Sequence, residues 1–245
     1  MCEAYPLSLG SGREQLQLLG LYVVASLSLV FTDYAAPELW RLAPVQWQIP
    51  GFEWRFWRKV GWAWGSTLGY ILPAWLYTRY VLGMRLSDWG FTIRGFTAHL
   101  PIYFLFLGVV MPFVVLVSYE SGFQETYPLN KVAYQSLYWL LVWEVSYAIQ
   151  FVGVEAFFRG FMLFPAARRI GPYAVAVMLV PYCMLHFQKP WLEAVGSIIA
   201  GAALGVVALR TGSILAGVLI HVAVAWSMDF LSLLHRGELA KLLAG

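Results

Sequence analysis

Apolar residues in this chain neither alternate nor keep to the one-sided stripe of a helix on a soluble core. They run in long blocks separated by short polar or aromatic-basic stretches. Seven blocks read as helices, over about 15–33, 60–82, 98–118, 133–164, 172–187, 191–209 and 212–234. A helix needs about 20 residues to cross a hydrocarbon core, so 172–187 is short for a span. The stretch 36–59 mixes Trp, Phe and Arg, which suits a segment lying among lipid headgroups. A half-buried helix there would raise the count from seven spans to eight. The pattern predicts an all-α, polytopic transmembrane helical bundle. Neither a linker nor a repeat divides it, so residues 1–245 read as a single integral membrane domain.

Composition sharpens this picture. Sixty per cent of the residues are hydrophobic and 12% are charged, against roughly a quarter charged in soluble domains. Mean hydropathy is +0.68. The lipid bilayer is therefore the first partner, and a net charge of +3 gives no footing for nucleic acid. Cys2 and Cys183 lie in unrelated contexts, so no disulfide framework is expected. The first residues lack the basic start of a signal peptide, and the first block reads as a retained span. Counting Lys and Arg by side favours a cytoplasmic N-terminus once the aromatic-basic stretch is discounted.

In such a chain the informative residues are the ionisable ones inside apolar blocks. They are Glu144, Glu155, Arg159, His186, Lys189, Glu193, His221 and Asp229, all in the C-terminal half. Glu155 and Arg159 form an i, i+4 pair in the favoured order, and Arg159 is expected to bond to Glu155 inside the bundle. Glu144 shares their helical stripe but precedes Glu155 by three turns, about 16 Å, too far to share one water. His186 and His221 on successive helices could join Glu155 to bind zinc with a fourth position open. Alternatively the glutamate could activate water directly, helped by the histidines. No HExxH motif is present. Lys189 and Glu193 flank Pro190 at a helix start, where a carboxylate suits the helix dipole. Gly196, Ala200, Gly201 and Gly205 are spaced for close helix packing and are expected to hold the two histidine helices together. Asp229 is either a supporting group or a residue emerging at the interface.

The stretches "EAFFRGF", "YCMLHF" and "LIHVAVA" resemble the three motifs of the CPBP family, the CAAX proteases and bacteriocin-processing enzymes of the Abi group. The patterns of that family are Glu-Glu-x-x-x-Arg, Phe-x-x-x-His and His-x-x-x-Asn. "LSDWGFTIRG" is similar to a connector many members carry, and the resemblance covers about residues 80–232. It implies an intramembrane peptidase, placed in a bacterial cell membrane and acting on a membrane-associated peptide or protein. It also implies Glu155, His186 and His221 as catalytic residues with Arg159 in support, while Glu144, Lys189, Glu193 and Asp229 stand as supporting candidates by their own placement. In that reading Glu155 is the base on a water held by His186, and His221 stabilises the oxyanion. The cofactor is either a divalent metal such as zinc, held by Glu155, His186 and His221, or none. Two positions depart from the pattern: Val154 replaces the first Glu, and Ala225 replaces the Asn. Tyr182 replaces the motif-two Phe. The departures open a second reading, a non-catalytic relative serving as a binding or accessory subunit of a membrane protein complex. A transporter is disfavoured, since neither an inverted repeat nor a broken-helix pair is visible.

Overall fold

The computed structural model describes residues 11–42, 53–94 and 96–244. The described chain is helical: α1 Gly12–Val30, α2 Trp54–Tyr80, α3 Phe96–Val117, α4 Ser121–Thr126, α5 Leu137–Glu155, α6 Phe164–Ile170, α7 Tyr173–Met184, α8 Trp191–Thr211, α9 Leu215–His235 and α10 Glu238–Ala244. Between α5 and α6 the helix continues without a break as a wider π-helical stretch, Ala156–Leu163. All seven expected helices are present, near their expected bounds. Among the described residues five stretches are long and apolar enough to cross a membrane: Gly12–Leu39, Phe96–Val117, Leu137–Ile170, Trp191–Thr211 and Leu215–His235. The chain is an integral membrane protein. Helix α2 has the length for a span, but Arg55, Arg58 and Lys59 at its start and Arg79 at its end dilute its hydropathy. Helix α7, at 12 residues, is short, as its apolar block foreshadowed. Of the stretch 36–59 weighed for a half-buried helix, Ala36–Leu42 is a 3₁₀ helix, Trp54 onward belongs to α2, and 43–52 lie outside the described residues.

The long α5–α6 rod is the centre of the bundle. Every residue from Ala156 to Leu163 is buried, and the Phe157, Phe158 and Phe161 rings pack with Tyr70 of α2, Met178 and Tyr182 of α7, and Trp89. Trp89 ends the short 3₁₀ turn Leu86–Trp89 and lies against Gly160, where a Cβ would come within 3.0 Å of its Cβ and carbonyl. Gly90 follows with φ 82°, a left-handed turn that favours glycine, and a Cβ there would lie 2.7 Å from the Phe164 ring. Its carbonyl accepts from the Ile214 amide at 3.0 Å, so the connector pins the α8–α9 turn against the central rod. At the far end of the rod, Arg169 pairs with Glu14, the residue that closes the capping box of α1.

Small residues bring α8 onto α7. Gly201 lies against the Tyr182 ring, where a Cβ would meet it at 2.6 Å, and Gly205 packs on Val175 and Met178. Gly196, expected to share that seam, has open space around its Cα. The stripe therefore serves α7 and α8 over its second half only.

Helix α9 runs antiparallel to α5. Gly217 and His221 near its start meet Glu155, while Trp226 and Asp229 further along meet Glu144 and Trp143. Two polar stations thus sit on one helix–helix interface. They are separated by the eight residues from His221 to Asp229, about 12 Å of helix.

Candidate active site

The first station is built around Glu155, the last α-helical residue of α5. Its Oε1 lies 2.9 Å from Arg159 Nη1 and 2.8 Å from His221 Nδ1. Arg159 and Glu155 are 0% and 1% exposed, whereas the His221 side chain is 15% exposed. The expected Glu155–Arg159 pair is present, and an uncompensated charge at this depth would be strongly destabilising. Arg159 also lies 4.4 Å over the Tyr182 ring and directs Nη2 to the Gly201 carbonyl at 3.5 Å. The other edge of His221, Nε2, is 2.8 Å from the Tyr182 hydroxyl. Phe151, one turn before Glu155, stacks on the imidazole at 5.3 Å with the planes 2° apart. Guanidinium, carboxylate, imidazole and phenol therefore form one continuous chain from the rod to α9 and α7.

Gly217 is what lets the carboxylate reach this place. A Cβ at that position would overlap Glu155 Oε2, so α9 presents bare backbone one turn before His221. The two departures from the resemblance are both apolar and packed away. Val154 is 5% exposed beside the rings of the central rod, and Ala225 is 3% exposed beside Trp143 and Tyr147.

His186 stands in the turn between α7 and α8, with Nδ1 3.1 Å from the Tyr182 carbonyl. Burial, then the nearby Lys189 ammonium, push its imidazole down to about 4. Lys189 reaches Glu193 at 2.8 Å, and Glu193 accepts from the Tyr127 hydroxyl at 2.6 Å. Burial above all, with the negative charge of Glu193 adding to it, holds the Tyr127 phenol protonated. Lys189 and Glu193 thus do more than open α8: they tie its start to the segment before α5. Tyr127 is in turn fixed by Ser232 of α9, which donates to its carbonyl at 2.6 Å.

The second station pairs Glu144 with Asp229. Their carboxyl groups interact directly, and Asp229 Oδ2 accepts from Trp143 Nε1 at 3.0 Å. Asp229 is 1% exposed, so it does not emerge at the interface. Glu144 shares the stripe of Glu155 yet belongs to a different cluster, in keeping with their separation along the rod.

The expected residues therefore divide. Glu155, Arg159 and His221 meet; His186 joins them only through Tyr182; Lys189 and Glu193 form a bridge with Tyr127; and Glu144 and Asp229 form a separate pair. The sequence reading passed over the Tyr182 hydroxyl, Tyr127, Trp143 and Gly217. Only Tyr182 carried a signal, its difference from the Phe of motif two. Among the described residues no three His, Cys, Asp or Glu side chains converge as ligands. Glu155, His186 and His221, the set weighed for zinc, do not converge: Glu155 Oε1 faces Arg159 Nη1 and His221 Nδ1, and His221 Nε2 faces the Tyr182 hydroxyl.

Residues 136–227 match the family described as type II CAAX prenyl endopeptidase, Rce1-like. No curated protein and no solved structure matches the chain. The matched segment holds Glu155, Arg159, Tyr182, His186 and His221 of the first station, and Lys189 and Glu193 of the bridge, whose Tyr127 lies outside it. This segment, 92 of the chain's 245 residues, is similar to the CAAX-protease-like peptidases of the CPBP family.

Proposed function

We propose that the chain is a working peptidase that cuts a membrane-associated peptide by water activated at His221, with Glu155 as the carboxylate behind the imidazole. The observation that carries this reading is the 2.8 Å approach of Glu155 Oε1 to His221 Nδ1, with the histidine partly exposed and the glutamate sealed. A base set by a carboxylate on one nitrogen, with a displaceable hydroxyl on the other, is the base–orienter half of a catalytic triad. This changes the roles expected from the sequence. Glu155 orients and balances charge, His221 takes the proton of water, and His186 lines the turn beside the site. A prenylated peptide is the first substrate class to test, since the matched family is described as prenyl endopeptidases.

A second reading is favoured by Val154 and Ala225, both buried among apolar side chains where the family pattern carries polar groups. There the charged chain serves as packing, and the protein acts as a binding subunit of a membrane complex. Comparison of new peptide termini in membranes containing wild type or His221→Ala separates the two. Termini that appear only with wild type support the peptidase. Identical termini, with a second membrane protein co-purifying stoichiometrically with both forms, support the subunit.

A further inference from the structure

We propose that Tyr182 is a catalytic residue of this site, its hydroxyl passing from His221 to the substrate oxyanion as the imidazole takes up a proton. The inference rests on the peptidase reading above. It starts from which atoms can donate. Nδ1 faces Glu155 Oε1 at 2.8 Å, a close charge contact off the hydrogen-bond line, and since a carboxylate only accepts, Nδ1 is the nitrogen that carries the proton. In the neutral ring Nε2 is then the acceptor, and the Tyr182 hydroxyl, 2.8 Å away, is its donor.

Attack by water changes that bond. The water oxygen bonds to the carbonyl carbon, the π pair moves onto the carbonyl oxygen, and the water proton goes to Nε2. Nε2 has one lone pair, so the Tyr182 O–H gives up its place there to the arriving water and turns to the substrate carbonyl oxygen. It donates there instead. When the tetrahedral centre collapses the C–N bond breaks, Nε2 returns its proton to the leaving amine, and the hydroxyl returns to Nε2. One water is consumed, and every protein group ends as it began.

The rest of the site leaves this task to Tyr182. Ala225 supplies no side-chain donor, both Arg159 Nη atoms face other acceptors, Glu155 and the Gly201 carbonyl, and the remaining donor, Arg159 Nε–H, is fully buried without a partner. The phenol is held in place by Arg159 over one part of its ring, by Gly201, and by the Phe158 edge at 5.3 Å. The motif-two pattern that this chain resembles has Phe at the position, so the hydroxyl is this chain's own feature and accompanies its loss of the motif-three Asn.

Tyr182→Phe tests the proposal because it keeps the ring that Arg159 and Gly201 pack against. Wild type and variant are compared in proteoliposomes on a fluorogenic S-farnesyl CAAX peptide and its unprenylated counterpart, with His221 observed by ¹⁵N NMR in the same samples. The expected result is a fall in kcat of about 100-fold or more at nearly unchanged KM, the size seen when an oxyanion donor is removed. The Nε2 resonance should shift towards an unbonded acceptor. Equal kcat in the two proteins overturns the role of Tyr182 and leaves the peptidase reading standing. Wild type inactive on both peptides overturns the peptidase reading and the role of Tyr182 with it. Should Tyr182→Phe fail to fold, 3,5-difluorotyrosine at position 182 keeps the hydroxyl and acidifies it. A changed kcat then supports the proposal, and an unchanged one overturns it.

Discussion

Gly217 and Glu155 touch across the α5–α9 interface, with the glutamate carboxylate occupying the space a side chain at 217 would fill. The contact places the carboxylate one turn from His221 and makes Gly217 part of the site although it carries no functional group. Gly217→Ala is expected to displace Glu155 or separate the helices, at about 1–3 kcal/mol of stability. Thermal unfolding in detergent, read beside the activity of the folded fraction, checks this. An unchanged melting point with full activity would show that α9 can shift without cost.

Arg159 should matter for folding as much as for chemistry. It is fully buried, and its removal leaves Glu155 without a full counter-charge. Arg159→Leu is expected to cost about 3–5 kcal/mol, measured by denaturant titration in micelles. Normal expression with a wild-type transition would mean that water reaches the pair.

The Trp143–Asp229 bond gives an independent check on the second station. Asp229→Asn keeps an acceptor for the indole N–H and removes one of two adjoining carboxyl groups, so little or no stability should be lost. Asp229→Leu leaves that N–H buried without a partner and should cost about 1–3 kcal/mol. The two variants should therefore separate in melting point, and neither should act on turnover through a water shared with Glu155.

His186 predicts a pH dependence. Its folded value of about 4 lies below the ordinary 6.5, so between these values the unfolded chain binds a proton that the folded chain refuses. Its contribution is complete above about 6.5 and is lost as pH falls towards 4, by no more than about 3 kcal/mol. His186→Gln, whose amide can still donate to the Tyr182 carbonyl, should flatten the stability profile in that window. A variant with the wild-type slope would assign the acid sensitivity to other groups.

Much of this architecture was legible in the chain, because apolar blocks of spanning length leave little choice of secondary structure. The Glu155–Arg159 pair was legible too, since spacing of four along one helix sets it. What remained hidden depends on two helices at once. Glu144 and Glu155 share a stripe, yet the antiparallel course of α9 hands Asp229 to one and His221 to the other. The Tyr182 hydroxyl could not be placed from spacing, since its partner lies 39 residues away. The π-helical stretch after Glu155, a form often found at functional sites, has no simple sequence mark here. Gly217 read as one more small residue, because its importance lies in the carboxylate opposite.

The central claim is that Glu155 acts through His221. A double-mutant cycle on turnover of the S-farnesyl CAAX peptide tests it most directly, using wild type, Glu155→Gln, His221→Ala and the double variant. Residues that act as one unit are strongly non-additive. Each single variant should lose about 100-fold or more, and the double variant should be little worse than His221→Ala alone. Losses that multiply, or Glu155→Gln turning over at the wild-type rate, would contradict the account.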